Sequence, residues 1–286
     1  MTQLQQDKLT RVALVTGCSS GFGLRSAIEL ARYGFQVIAT VRSMKSGEQF
    51  MEAAAAAEVV QLIQLTVLDV RVEEQVYETI QMIHNNYGRL DVLVNNAGEA
   101  YGGMIEELPM QVWRDQMETN FFGMVNVTRS VLPLMRAQGG GRIIQISSIS
   151  GEVGFPGLGP YVSSKFAMEG FSESLALEVR EFGIEVVLIQ PGSYGTPIWE
   201  KSFSRLSMTN HSPYRELFDR VLSFSKRSSK EGGNPQEVAR LVARAATISS
   251  PLLRYRLPRG TKLTVLMKQL LPDRIFQRIM LHVLKK

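Results

Sequence analysis

"VALVTGCSSGFG", Val12 to Gly23, decides how the rest of the chain reads. An apolar run, Val12 to Val15, stops at a turn whose glycines stand at 17, 21 and 23. The spacing is G-x-x-x-G-x-G rather than G-x-G-x-x-G, but the physical logic is shared. A strand ends, a tight turn lets backbone N–H groups approach a pyrophosphate, and a helix N-terminus faces the negative charge. Gly17, Ser19, Ser20, Gly21, Phe22 and Gly23 are therefore the expected phosphate-holding turn.

Working outward, short apolar runs alternate with helical patterns. "VALVT" (12–16), "QVIATV" (36–41), "LIQLTV" (62–67), "DVLVNNA" (91–97), "RIIQISS" (142–148) and "EVVLIQ" (185–190) read as buried strands. Near-continuous apolar runs suit a parallel sheet covered on both faces. Helix-like segments fall at 22–33, about 44–57, 73–87, 111–136 and 161–182. This order predicts an α/β fold, a Rossmann-type doubly wound parallel sheet with right-handed crossovers. No linker or internal repeat divides residues 1–286, so one domain is expected.

The bulk properties narrow the function. Of 286 residues, 44% are hydrophobic and 21% charged, an ordinary globular balance that supports a sizeable core. Thirty-two basic against 27 acidic residues give +5, too mild an excess to suggest nucleic acid as a partner. The lone Cys18 leaves no internal disulfide, which suits a reducing compartment. His84, His211 and His282 lack ligand spacing, so no metal is expected. The first apolar run is too short for a signal peptide or a span, and a cytoplasmic location is expected.

Cofactor choice turns on the end of the second strand, "ATVRS". NAD-binding proteins of this architecture usually carry an acid there for the ribose 2′-hydroxyl. Here Val41 is followed by Arg42, which can pair with a 2′-phosphate, so NADP is expected over NAD. Asp69, in "LDV", either meets the adenine amino group or caps the next helix. Asn96, Ala97 and Gly98 end the fourth strand with small residues that admit a ribose. Ser147 and Ser148 end the fifth strand. Tyr161 and Lys165, in "YVSSK", stand four apart on one helical face. Ser148, Tyr161 and Lys165 can thus share a crevice with Gly21 and Asn96.

These motifs, with Asn120 in "METNFFG" and "PGSYGT" (191–196), occur in an order and spacing that resemble the short-chain dehydrogenase/reductase family over about residues 10–200. "ATVRSMK" and "YVSSKFAMEGFSESLALE" look most like its 17β-hydroxysteroid and retinol dehydrogenase branch. The resemblance implies a single family domain, with a cofactor-binding and catalytic core at about 10–196 and a substrate loop with C-terminal helices at about 197–286. It implies that Tyr161 exchanges a proton with the substrate oxygen and that Ser148 donates a hydrogen bond to it. Lys165 would lower the Tyr161 pKa and hold the nicotinamide ribose. Asn120 would hold a water behind Lys165. Pro191, Gly192 and Thr196 would cover the nicotinamide. The implied activity is NADP(H)-dependent interconversion of a carbonyl and an alcohol, with a β-ketoacyl-type reductase or a non-catalytic NADP-binding sensor as alternatives. The resemblance also implies a homodimer or homotetramer paired through 111–136 and 161–182.

Beyond residue 196 the pattern is apolar and helical. Ile198, Trp199, Phe203, Leu206, Met208, Tyr214, Leu217, Phe218, Leu222 and Phe224 follow the loop expected over the nicotinamide, so part of that face should line a deep apolar pocket. "NPQEVARLVARAA" (234–246) opens with an N-cap Asn and a first-turn Pro. "LLRYRL" (252–257) reads as a last strand. The tail carries two helical patterns around Pro272, with apolar residues beside Lys and Arg. Packing on the body is expected, with peripheral contact to an anionic membrane as the alternative.

Overall fold

The computed structural model describes residues 10–196, 198 and 211–284. Seven strands form one sheet in the order β3-β2-β1-β4-β5-β6-β7. They are β1 (Val12–Val15), β2 (Gln36–Val41), β3 (Ile63–Val67), β4 (Val92–Asn95), β5 (Gly141–Ile146), β6 (Ile184–Pro191) and β7 (Arg254–Leu257). Every pairing is parallel. Ala13 stands beside Val37 of β2 and Val92 of β4, so the order reverses at β1. A crevice forms at such a switch point, outside the carboxyl ends of the strands.

The helices are α1 (Gly21–Arg32), α2 (Glu48–Ala56), α3 (Glu73–Tyr87), α4 (Met110–Met117), α5 (Gly123–Ala137), α6 (Gly159–Glu178), α7 (Arg215–Lys230), α8 (Pro235–Thr247), α9 (Arg259–Leu270) and α10 (Asp273–Val283). Alternation along the strands builds two cores. Ala13, Val15, Val37 and Ala39 pack with Leu30 of α1 and Val238 and Val242 of α8. Val12, Leu14 and Ile38 pack on the other face with Ile80 of α3, Val127 of α5 and Leu175 of α6. These helices thereby cover both faces of the sheet, which is why the strands read as continuous apolar runs. Asn234 caps α8 by accepting from the Gln236 N–H, with Pro235 in the first turn.

Four expectations need correction. β3 is not buried, because it is the sheet edge and its residues stay half-exposed or exposed. The helical run at 44–57 divides into a short 3-10 turn (Met44–Gly47), capped by Ser43, and α2. The run at 111–136 is interrupted by a π-helical turn at Glu118–Phe122. The run at 161–182 starts earlier, at Gly159, and closes in a 3-10 turn at Arg180–Phe182. From the C-terminal part, β7 joins the same sheet and α8 packs on α1.

Candidate active site

The glycine turn is held from behind. Gly17 has φ +71°, and a Cβ there would stand 2.7 Å from the Ala97 Cα. A Cβ on Gly23 would meet the Asn96 Nδ2 at 2.3 Å and the Gly17 oxygen at 2.4 Å. Asn96 donates from Nδ2 to the oxygens of Thr16 (2.8 Å) and Gly17 (3.0 Å). Thr16 accepts at Oγ1 from the N–H groups of Asn96 and Ala97, both at 3.0 Å. The Asn96 amide is thus a clamp between the ends of β1 and β4. Cys18 is fully buried, donates to the Val15 oxygen at 3.2 Å, and its thiol is pushed up to about 12 by burial. A thiol so protonated packs rather than reacts.

Gly17, Ser19, Ser20, Gly21 and Phe22 line a crevice of about 250 Å³. So do Arg42, Asp69, Asn96, Ala97, Gly98 and Asn120, and so do Ser148, Tyr161, Lys165, Pro191, Gly192 and Thr196. Gly23 does not line it and serves from behind. The N-cap of α1, Ser20, makes no side-chain cap bond, and the first turn of α1 has no acidic residue. Uncapped N–H groups facing a crevice fit a cofactor pyrophosphate.

At the deep end, Tyr161 is 7% and Lys165 6% exposed. The Lys165 Nζ donates to the Ile146 oxygen at 2.7 Å and lies 5.8 Å from the centre of the Tyr161 ring. Ser148 accepts from the Ser150 N–H at 3.1 Å and hydrogen-bonds Tyr161. In the chain alone the net shift of Tyr161 is upward, not downward. Burial pushes Tyr161 up to about 12, with the Ser148 hydrogen bond opposing. Burial also brings Lys165 down to about 8, with Glu169 opposing. Desolvation disfavours phenolate and ammonium alike.

Asn120 sits in the π turn, a distortion that often marks functional sites. Its Oδ1 accepts from the Glu99 N–H at 2.8 Å, and its Nδ2 donates to the Glu99 oxygen (2.9 Å) and the Ser164 Oγ (3.1 Å). These bonds commit the side chain to the loop after β4 and to α6.

The shallow end is charged. Arg42 Nη1 pairs with Glu99 at 2.5 Å, and Arg71 grips both carboxylate oxygens of Asp69. Arg71 holds the Asp69 carboxyl below its usual range. Asp69 therefore does not cap α3, whose N-cap is Val72 without a side-chain bond. The sequence reading had no signal for the Arg42–Glu99 pairing, which depends on two loops meeting in space, whereas Arg71 stands only two residues from Asp69.

Beside Ser148 a second, smaller pocket of about 70 Å³ runs off the crevice. Ile149, Phe155 and Leu158 line it with Val221 and Phe224 of α7 and Leu284 after α10. Of the residues expected here, Phe224 reaches this wall. Trp199, Phe203, Leu206 and Met208 lie outside the described residues.

A doubly wound sheet, an uncapped glycine turn at its switch point and a buried Ser-Tyr-Lys set define a nucleotide-dependent oxidoreductase. Residues 11–207 match the short chain dehydrogenase family. The chain belongs to that family, and it is a dehydrogenase/reductase acting on CH–OH groups. It is 48% identical to the uncharacterized oxidoreductase YusZ of Bacillus subtilis, over 94% of this chain and 97% of that protein. It is 36% identical to the 3-ketodihydrosphingosine reductase of Bacteroides thetaiotaomicron, over 93% of this chain and 95% of that protein. It is also 36% identical to human retinol dehydrogenase 8, over 85% of this chain and 80% of that protein. A solved actinorhodin polyketide ketoreductase with NADPH superposes with a TM-score of 0.74 at 32% identity, covering 88% of this chain and 97% of that one.

Proposed function

We propose that the protein is an NADP(H)-dependent reductase or dehydrogenase for a large apolar ketone or alcohol, of steroid, retinoid or lipid type. One observation carries this: a buried Tyr161 bonded to Ser148 lines the crevice, and at Ser148 the crevice meets a pocket walled by Phe155, Leu158, Val221, Phe224 and Leu284. In this reading Tyr161 gives its proton to the carbonyl oxygen, and Ser148 steadies the charge developing there. The same phenol takes the proton back as the base in the reverse direction. Lys165 holds the nicotinamide ribose, and Asn120 orders the Glu99 loop and α6 around that contact. The bound cofactor supplies hydride to, or takes it from, the carbon. Glycines 17 and 21 with Ser19, Ser20 and Phe22 hold the pyrophosphate, while Pro191, Gly192 and Thr196 cover the nicotinamide.

NADP is supported by Arg42 and by the lack of an acid on Val41 at the end of β2. The names of similar proteins, a ketosphingoid reductase and a retinol dehydrogenase, support an apolar substrate. Residues 197–286 act as substrate loop and C-terminal helices on the 10–196 core of a single domain. The decisive experiment follows NADPH absorbance across 2-alkanones of increasing length, steroid ketones, retinal and β-ketoacyl thioesters. We expect kcat/KM to rise with apolar bulk. A flat series, or preference for small charged ketones, removes the apolar-pocket claim, and preference for the thioesters returns the β-ketoacyl alternative.

The surface bears on partners. Phe122, Phe166, Leu177 and Phe182 are exposed on or beside α5 and α6, which supports pairing of two or four copies through these helices. Sedimentation velocity tests it, and a monomer at micromolar concentration would end the idea. Among the described residues no helix is long and apolar enough to cross a membrane. Val265 and Phe276 pack inward on Val153, whereas Leu263, Leu266 and Leu270 form an outward stripe on α9 near Lys262. We assign any peripheral membrane contact to that stripe; co-sedimentation with anionic but not neutral vesicles is its test.

A further inference from the structure

One turn beyond Lys165 on α6 lies Glu169, a carboxylate whose side chain is only 8% exposed. Its Oε1 accepts from the Ser147 Oγ at 2.5 Å and from the Gln190 Nε2 at 2.9 Å. Its Oε2 accepts from the Arg254 Nε at 2.9 Å. Those partners end β5, end β6 and begin β7. Ser147 directly precedes Ser148, and Gln190 directly precedes Pro191 and Gly192. Packing around the carboxylate is tight, since a Cβ on Gly151 would stand 2.8 Å from the Glu169 Cγ.

The cluster extends to the C-terminal part of the chain. Gln190 also donates to Glu152 at 2.6 Å, and Arg256 of β7 pairs with Glu152 at 2.6 Å. Lys268 of α9 donates to the Glu152 oxygen, and Arg254 also pairs with Glu173 of α6 at 2.5 Å. A buried carboxylate needs compensating partners, and this one has three. Core packing alone would be served as well by an apolar residue.

We propose that Glu169 is a positioning residue for the active site: it fastens Ser147 after β5, Gln190 near the end of β6 and Arg254 at the start of β7 to one another beneath Ser148 and Pro191, and it stands as the counter-charge one helical turn from the Lys165 ammonium. The inference rests on the assignment of Lys165 as the cofactor-ribose ligand. The charges facing this region are Tyr161 and Glu173 on α6, Arg254 and Arg256 on β7, Glu152 after β5, and Lys268 on α9. Glu169 is the acid that opposes the downward pull of burial on Lys165, and Arg254, paired with that acid at 2.9 Å, offsets part of its charge.

The sign follows. Removing the Glu169 charge makes the ammonium lose its proton at lower pH. Removing the Arg254 charge takes a cation away while Ser147 and Gln190 still hold the carboxylate ionised, so it does the reverse. The test is NADPH affinity by fluorescence titration from pH 6 to 10, which requires no substrate. For Glu169→Gln, the pH at which NADPH binding weakens should fall by about one unit relative to wild type. For Arg254→Gln, which leaves the Ser147 and Gln190 bonds in place, it should rise. Glu169→Asp should restore part of the wild-type midpoint.

Equal midpoints in all variants, or shifts of the same sign for Glu169→Gln and Arg254→Gln, would mean a merely structural cluster and overturn the proposal. Lys165→Ala separates this from the underlying reading. If that variant binds NADPH like wild type, the Lys165 assignment is what fails. If it binds weakly while the other midpoints stay put, only the role of Glu169 fails. Should Glu169→Gln not fold, the rise expected for Arg254→Gln still decides the case.

Discussion

The two ends of the crevice are tuned by opposite means. At the deep end Tyr161 and Lys165 are nearly sealed from water, and burial dominates both. At the shallow end Arg42 and Arg71 keep 58% and 44% of their side chains exposed, and pairing dominates: the pull of Arg71 on Asp69 outweighs the upward push of burial. A charge in a dry site acts over its neighbours at several times the strength it has beside water and salt. The deep end therefore suits chemistry, where one atom out of place is decisive. The shallow end suits selection between cofactors, where a graded contact suffices.

The largest effect should come from the deep end. Tyr161→Phe removes the proposed proton donor but keeps the ring, so turnover should fall by roughly a hundredfold to ten-thousandfold. NADPH affinity, read by fluorescence, should stay near wild type. Lys165→Ala should harm both. Near-wild-type turnover by Tyr161→Phe would dissolve the contrast, since the deep end would then carry no chemistry.

Next comes the wall between the two ends. Gly23→Ala drives a methyl into the Asn96 Nδ2 and the Gly17 oxygen, and a backbone oxygen does not yield as a side chain can. Overpacking of this kind costs about 1–3 kcal/mol, with a melting temperature several degrees lower. NADPH and NADH should weaken together, because the turn they share is displaced. Loss of one alone would show that the glycine turn is not common ground.

At the shallow end, Arg42→Ala should weaken NADPH about tenfold and leave NADH unchanged. The exposed position puts it at the lower bound for a charge-assisted contact. The difference should shrink as salt is raised, whereas the Tyr161→Phe defect should not. Equal losses for both cofactors would make Arg42 a bystander and return the cofactor choice to NAD.

What could be read beforehand follows the same division. The sheet was legible because apolar strands and glycine turns are local patterns, and "NPQEVA" announced α8 through its cap and its proline. The crevice residues were legible because strand ends converge wherever a parallel sheet reverses its order. Edge position was not, so β3 was expected to be buried. The π turn at Glu118–Phe122 was not, because its Asn120 is fixed by Glu99 and Ser164, residues 21 and 44 positions away. Nor was the direction of the Tyr161 shift. The Tyr-x-x-x-Lys spacing speaks of a nearby charge but not of how much water the fold removes from both groups. Glu169 shows the same limit: its spacing from Lys165 is plain, yet its partners come from three strand ends.

The smallest expected effect sharpens the shallow end. Glu99 holds Arg42 at 2.5 Å while its other oxygen accepts from the Tyr101 hydroxyl at 3.1 Å. A 2′-phosphate reaching Arg42 must compete with that carboxylate and be repelled by it. Glu99→Gln keeps the shape and an acceptor for Tyr101 but removes the charge. NADPH should then bind a few-fold tighter, a gain of about 0.5–1 kcal/mol for an exposed ion pair released, and NADH should be unaffected. The gain should vanish in an Arg42→Ala background, because without the guanidinium there is nothing to release. Paired titrations of both cofactors against wild type, the two single variants and the double variant give the coupling directly. If Glu99→Gln instead weakens NADPH, then the carboxylate aims Arg42 at the phosphate rather than competing for it. The shallow end would then be preorganised in the way the deep end is.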